Sequence, residues 1–204
     1  MTTFGDLRTY VKADQRLNTT EQDSNILMWA NKNYVRRSRA QPWQQLLVES
    51  GSFTTTADVS TYALASNFFR LVPNSVRYAT TSGDAGMPLP DVPERNRVAW
   101  KSINGTNAPS VCAVVGSGTS SSGKSLELLP IPSSGSSTVY YEYYAAVTTF
   151  SSTASTAQIP QLMEVIAYDT IADVARYMSR SEEAAEARGI AKELYVEATR
   201  SLSR

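Results

Sequence analysis

The stretch Thr138-Val139-Tyr140-Tyr141-Glu142-Tyr143-Tyr144-Ala145-Ala146-Val147 is dense in aromatic and β-branched residues, which suit a pleated strand with tyrosine rings on both faces. A polar link over residues 151–157 follows, and then the period changes. From Ile159-Pro160 onward, Leu162, Val165, Ile166, Ile171, Val174 and Met178 recur at helical spacing as one broad apolar face. Proline suits the first helical turn, because the N–H it lacks would have no partner there. The fold turns on this junction, where a β-rich centre ends and a helical C-terminal part begins.

Downstream of it the helix breaks once, at Ser179-Arg180-Ser181. Ser181 is the predicted cap of a last helix with Ile190, Leu194 and Ala198 as its stripe, and Glu182, Glu183 and Glu186 read as its solvated start. Gly189 inside that helix costs about 1 kcal/mol relative to alanine. Upstream, only Lys124, Glu127 and Glu142 are charged between Asn104 and Pro160. Strands are predicted over residues 45–55, 61–64, 69–72, 75–79, 97–102, 110–115, 126–129 and 138–147, divided by clusters such as Asn104-Gly105 and Gly83-Asp84-Ala85-Gly86. Residues 82–95 carry Pro88, Pro90 and Pro93 and read as a long exposed loop with a binding or packing role.

The N-terminal part reads as two helices. Phe4, Leu7 and Val11 share one face of the first. Thr20 is the expected N-cap of the second, with Asp23 in a capping-box-like position. Its stripe is Ile26, Leu27, Ala30 and Tyr34, its last turn holds Arg36, Arg37 and Arg39, and Pro42 closes it. The fold class is therefore α+β: a helical bundle formed by the N- and C-terminal helices, with an inserted β-rich region, sandwich or barrel-like. The expected boundaries are residues 1–44 for the N-terminal helices, 45–157 for the insertion, and 158–204 for the C-terminal helices, which pack with the first as one unit.

Composition narrows the function. The 204 residues include 19 Lys+Arg and 19 Asp+Glu, so the net charge is zero. A general nucleic-acid or membrane-surface binder would carry a basic excess. Residues 1–18 lack the apolar core of a signal peptide, and no run approaches a membrane span. The lone Cys112, in Val111-Cys112-Ala113-Val114-Val115, allows no internal disulfide and fits a buried thiol made in a reducing compartment. There is no histidine, which removes Ser-His-Asp and Cys-His catalysis and the usual zinc sites. No cluster has metal-ligand spacing, and no cofactor is expected.

One motif points to chemistry. Gly118-Thr119-Ser120-Ser121-Ser122-Gly123-Lys124-Ser125 fits the phosphate-binding pattern G-x-x-x-x-G-K-[ST]. That chemistry needs a helix N-terminus after the loop. Here Leu126-Glu127-Leu128-Leu129-Pro130-Ile131-Pro132 follows, and its prolines forbid a second helical turn. No strand ends in an aspartate suited to magnesium. A Ser/Gly-rich hairpin loop is the favoured reading over a nucleotide site. Tyr140, Tyr141, Tyr143 and Tyr144 could stack a sugar or a base, but packing and subunit contact weigh more. Trp29 and Trp43 read as core or interface anchors. Arg36, Arg37 and Arg39 fit either a solvated helix end or a surface facing DNA in a channel.

The order of these pieces resembles the tailed-phage head-to-tail adaptor family, also called connector or head-completion proteins. The likeness lies in Leu27-Met28-Trp29-Ala30-Asn31-Lys32-Asn33-Tyr34, with its Trp-x-Asn signature. It continues in Tyr62-Ala63-Leu64-Ala65-Ser66-Asn67-Phe68-Phe69-Arg70, where Ala65 replaces a family proline. The Tyr-rich strand, the polar link and Ile159-Pro160 complete it. The resemblance implies a structural virion protein, not an enzyme, assembled in the host cytoplasm and placed at the head-tail junction. It implies a homo-oligomeric ring, a dodecamer, under the portal protein, docking tail proteins (nozzle, stopper or tube), with packaged DNA passing through without sequence-specific binding and no membrane contact. Carried onto this sequence, the portal interface is Leu194, Arg200, Leu202 and Arg204. The tail-side loops offer Met87, Leu89, Arg95 and Lys124, and Arg36, Arg37 and Arg39 face the channel. The alternatives are another virion part (a tail completion or terminator protein, or a decoration protein), a P-loop nucleotide-binding protein, or a sugar-binding β module.

Overall fold

A computed structural model of the chain describes residues 1–17, 20, 22–81, 84–104, 106–116 and 123–200. The chain divides into two compact units: Met1–Leu46 with Val147–Arg204, and Leu47–Ala146. The α+β class with helical ends and an inserted antiparallel sheet region is as the sequence predicts.

The first unit holds α1 (Phe4–Asp14), α2 (Asp23–Arg39), α4 (Met163–Tyr177) and α5 (Ser181–Arg200). α4 is the central helix and packs on α1, α2 and α5. That position explains its apolar breadth: Val165, Ile166, Ile171 and Val174 are all buried. α5 meets it through the small side chains of Ala184, Ala187 and Ala191. α1 meets it through Phe4, Leu7 and Val11, and the Tyr10 hydroxyl donates to that of Tyr168 at 2.9 Å. This bond and burial push the Tyr10 phenol up to about 12.

The capping box is not where the sequence suggests. α2 begins at Asp23 with no side-chain cap, and the Asp23 carboxylate pairs with Arg8 and Lys12 of α1, each at 3.0 Å. Two cations outcompete one backbone N–H for the carboxylate. The box lies on α1, where Thr3 Oγ1 accepts the Asp6 N–H and Asp6 Oδ2 accepts the Thr3 N–H, both at 3.1 Å. These backbone donors hold the Asp6 carboxyl below its ordinary value.

Residues 147–157 are neither strand nor helix, yet they are laid firmly on α1 and α2. Phe4 and Gly5 N–H donate to the Ser155 and Thr153 carbonyls at 2.9 Å. A Cβ on Gly5 would sit 2.9 Å from the Thr153 oxygen, so only glycine fits there. The Asn31 side chain clasps the backbone of Phe150 from both sides: Nδ2 donates to its carbonyl at 2.9 Å, and Oδ1 accepts its N–H at 2.7 Å. The Phe150 ring stacks on Tyr34 at 5.0 Å and on Phe4 at 5.7 Å. The buried Tyr34 hydroxyl then accepts the Ile159 N–H at 3.1 Å, just before the turn Pro160–Leu162 that leads into α4.

The second unit is built on β10 (Thr138–Ala145). β1 (Leu47–Thr54) pairs along one edge. Along the other lie β3 (Phe68–Leu71) and β4 (Arg77–Ala79), end to end. Where they part, the Val72 N–H donates to the Glu142 carbonyl and the Ser75 hydroxyl accepts the Glu142 N–H, so the ladder stays satisfied. β5 (Met87–Pro88) adds to β4. A second sheet has β8 (Ser125–Leu129) between β2 (Thr61–Ala63) and β7 (Val111–Val115). β6 (Thr106–Asn107) and β9 (Ile131–Pro132) form a short parallel pair. The two main sheets share a core that includes Phe68, Val76, Leu89, Cys112, Leu126, Leu128, Val139, Tyr141 and Tyr143.

One predicted strand is a helix. Residues 97–102 lie in α3 (Glu94–Asn104), not in an extended segment, and residues 82–95 are not one long loop but contain β5 and the start of α3. The reason is tertiary. Arg97 and Lys101, one helical turn apart, both reach Glu127 on β8, which a strand could not arrange.

Replacing Asn31 by alanine strands the Phe150 N–H and carbonyl together. The expected loss is about 2–4 kcal/mol of unfolding free energy in urea titration with the fold retained. A loss under about 0.5 kcal/mol would contradict this role for the clasp.

Candidate interaction surfaces

Arg36, Arg37 and Arg39 lie in the last turn of α2. Arg37 turns inward to Asp169, a carboxylate that is 3% exposed in the middle of α4, with Nε and Nη2 reaching its two oxygens at 2.7 and 3.0 Å. Arg36 joins the same carboxylate at 3.1 Å from a more exposed position. The Arg37 guanidinium also lies 4.8 Å over the Tyr195 ring of α5, and Tyr195 meets Trp43 edge-on at 6.5 Å. Burial raises the Tyr195 phenol above its ordinary value, although the nearby Arg37 charge acts the other way. Two of the three arginines are thus committed to tying α2, α4 and α5 together. Arg39 is exposed at the helix end.

On α5, Leu194 is half-buried and Arg200 is exposed, while Leu202 and Arg204 lie outside the described residues. Val196 is exposed on the same helix. Trp29, read from the sequence as a core or interface anchor, pairs with Tyr177 at 5.6 Å between ring centres, and Met28 beside it is exposed; the sequence reading did not single out Met28 or Tyr177 as contact residues. Tyr177 is 64% exposed.

In the β unit, Met87 is exposed on β5, as a contact residue must be. Leu89 is not: it is 1% exposed and belongs to the core, two residues along the same strand direction. Arg95 lies in the first turn of α3. Lys124 is the lysine of the phosphate-binding pattern. Its Nζ donates to the Phe69 carbonyl at 2.6 Å and lies 5.5 Å from the centres of the Phe68 and Phe69 rings. The residues after it form β8, not a helix. Residues 118–122 of the motif lie outside the described residues.

The tyrosines alternate as a strand requires. Tyr141 and Tyr143 point into the core, and Tyr140 and Tyr144 point away. Gly51 of β1 lies opposite Tyr141, and a Cβ there would fall 2.7 Å from the ring. On the outward face Arg70 lies 5.3 Å over Tyr144. Cys112 is buried, and its thiol is pushed up to about 12 by burial and by the charge of Asp91, so little reactive thiolate exists at neutral pH. Among the described residues no group of acidic or sulfur ligands could hold a metal ion, and no helix is long and apolar enough to cross a membrane.

A helical unit closed by both chain ends, with a sheet region inserted and aromatic residues held out on both units, is the build of a protein-contacting part. The chain matches the model of the SU10 adaptor protein family over residues 2–204, and it belongs to that family of tailed-phage adaptors. It is thus a phage structural component of the virion, of a class that interacts with portal and tail proteins. No curated protein matches the chain. The two stretches that carried the resemblance have structural tasks here. Asn31 of the Trp-x-Asn signature clasps Phe150. Residues 62–70 lead the chain from one sheet to the other, with Leu64 and Phe68 in the core and the Asn67 carbonyl accepting the Ala146 N–H.

Asp169→Ala removes the shared partner of Arg36 and Arg37. Both guanidiniums reach water, so the expected cost is about 2 kcal/mol, below the figure for a fully buried pair. Thermal unfolding followed at 222 nm checks it, and an unchanged midpoint would remove the pair from the helical unit's stability.

Proposed function

We propose that this adaptor is a non-catalytic subunit of a ring, a dodecamer, that seats beneath the portal protein of the filled capsid and presents the docking surface for the tail. The family match across both units carries this reading, because it makes the whole chain, and not one segment, the adaptor module. A closed ring requires two different, complementary surfaces on each copy. The exposed Met28 and Tyr177, with the half-buried Trp29 that pairs with Tyr177, have the composition of interface anchors. In the proposal α5, with Leu194 and Arg200, serves the portal side and the Met87 excursion serves the tail side. DNA passes through the ring without sequence-specific contact, which is compatible with a net charge of zero.

The absence of catalysis is part of the same proposal. The chain has no histidine, and the one motif with a nucleotide-binding pattern spends its lysine on a backbone carbonyl. Calorimetric titration with magnesium ATP is expected to show no binding to the wild type or to Lys124→Ala. Binding that Lys124→Ala abolishes would promote a nucleotide-dependent role instead.

Co-sedimentation with the portal protein encoded beside it, followed by particle imaging, tests the ring directly. The expected images show a ring of this chain on one face of the portal. The chain found instead on tails or on the capsid exterior, with none on portals, would replace this reading with that of another virion part.

A further inference from the structure

In the β unit, one carboxylate is buried without being part of the core. Glu127 lies at the middle of β8, the central strand of the second sheet, and is 1% exposed. The register pairs it with Thr61 on one side and Ala113 on the other, so these three share a face. Val111 and Leu129, which pair with each other, lie on that same face two residues away. The opposite face of β8, with Leu126 and Leu128, belongs to the shared core. The face with Glu127 at its centre is therefore the outer one, and Val111, Ala113 and Leu129 on it are all buried.

What faces Glu127 is α3, which packs on β7 and β8. Lys101 Nζ lies 2.5 Å from Glu127 Oε1, and Arg97 Nη1 lies 3.2 Å from Oε2. Both cations come from one helix, one turn apart, and no other charged group is paired with this carboxylate among the described residues. The described side chains of α3 are otherwise half-buried or open to solvent. Its described side chains include none that is fully buried, Trp100 is half-buried, and Val98 is 68% exposed. The attachment is also imperfect, since Arg97 Nε and Glu127 Oε2 are buried without a well-formed hydrogen bond. Pro90 and Pro93 precede the helix.

We propose that α3 is a strap latched by Glu127, which opens independently of the two sheets and on opening uncovers the apolar outer face of β7 and β8. The physical basis is the unequal character of the two attachments. The sheets are held by a shared apolar core and backbone ladders. Among its described side chains the helix is held by one carboxylate, and a charge pair of this kind is costly to keep buried and strongly weakened when one partner is neutralised. Elements with few buried apolar contacts are the ones that open below the global unfolding free energy. This inference stands whether or not the chain forms a ring.

Hydrogen exchange measured by mass spectrometry on the full chain tests it, with wild type compared to Glu127→Gln and Lys101→Met. Glu127→Gln keeps the shape and removes the charge, so exchange over 94–104 is expected to quicken at least ~10-fold while β7, β8 and β10 keep their protection. Lys101→Met keeps the aliphatic stem and leaves Arg97 in place, so a smaller acceleration of ~3-fold is expected, confined to the same residues. Should Glu127→Gln fail to fold, Lys101→Met decides alone. Unchanged exchange over 94–104 in the folded variants would refute the latch. Acceleration of α3 together with β7 and β8 would show that the helix opens only with the whole unit, and would overturn the strap.

Discussion

The Asn31 clasp on Phe150 has to be made between residues that the whole of Leu47–Ala146 separates in sequence. Everything in the helical unit depends on that return. Until residues 147–157 lie along α1 and α2, α4 has only α5 to bury against, and the part of its apolar face that meets α1 and α2 would be exposed. Closing a flexible loop of that length costs about 4 kcal/mol beyond a constant. The β unit removes much of this cost. Leu47 pairs with Tyr144 in the β1–β10 ladder, so a folded insertion delivers its two ends side by side. The pairing of the first and last strands thus brings the two halves of the helical unit within reach of each other, as a short linker also would.

With the ends brought together, the clasp and the Asp169 hub divide the labour. Asn31, Tyr34 and Gly5 fix the path of the returning chain through backbone contacts, which no other side chains at those positions could reproduce. Asp169 then ties the core helix to α2 through Arg37, and Arg37 to α5 through Tyr195. A carboxylate in the centre of an apolar helix is costly unless it is fully paired, so this arrangement favours one register of the three helices over its neighbours. The result is a firm helical platform with Met28 and Tyr177 held outward, and a β unit with Met87, Val98 and Tyr140 held outward.

Much of this was legible in the residues. The stripes of α1, α2, α4 and α5 and the alternation of Tyr140–Tyr144 are periodic signals over long stretches, and they define the α+β class. The misreadings share a cause. Residues 97–102 look extended because Val98 and Trp100 alternate with charge, and only the distant Glu127 shows why a helix wins. Thr20 and Asp23 look like a cap until Arg8 and Lys12 claim the carboxylate. Leu89 looks like an exposed loop residue among prolines, yet its side chain falls between two sheets whose pairing no local pattern reveals. The arginines after Tyr34 read equally as a solvated helix end or a surface facing DNA, and neither reading shows the buried Asp169 that pairs with Arg36 and Arg37 and sits 132 residues beyond Arg37. Each error replaced a long-range charge or packing contact with a local rule.

The central claim is that the chain ends form one helical unit around a self-closed insertion. The most direct measurement replaces Leu47–Ala146 with a short Gly/Ser linker and follows the helical signal of the shortened protein on heating. A monomer or defined oligomer that keeps its helical content and unfolds in one cooperative transition is the predicted result. A chain that is unfolded, or that retains helix but melts without cooperativity, would contradict the account and make the β unit a structural part of the bundle.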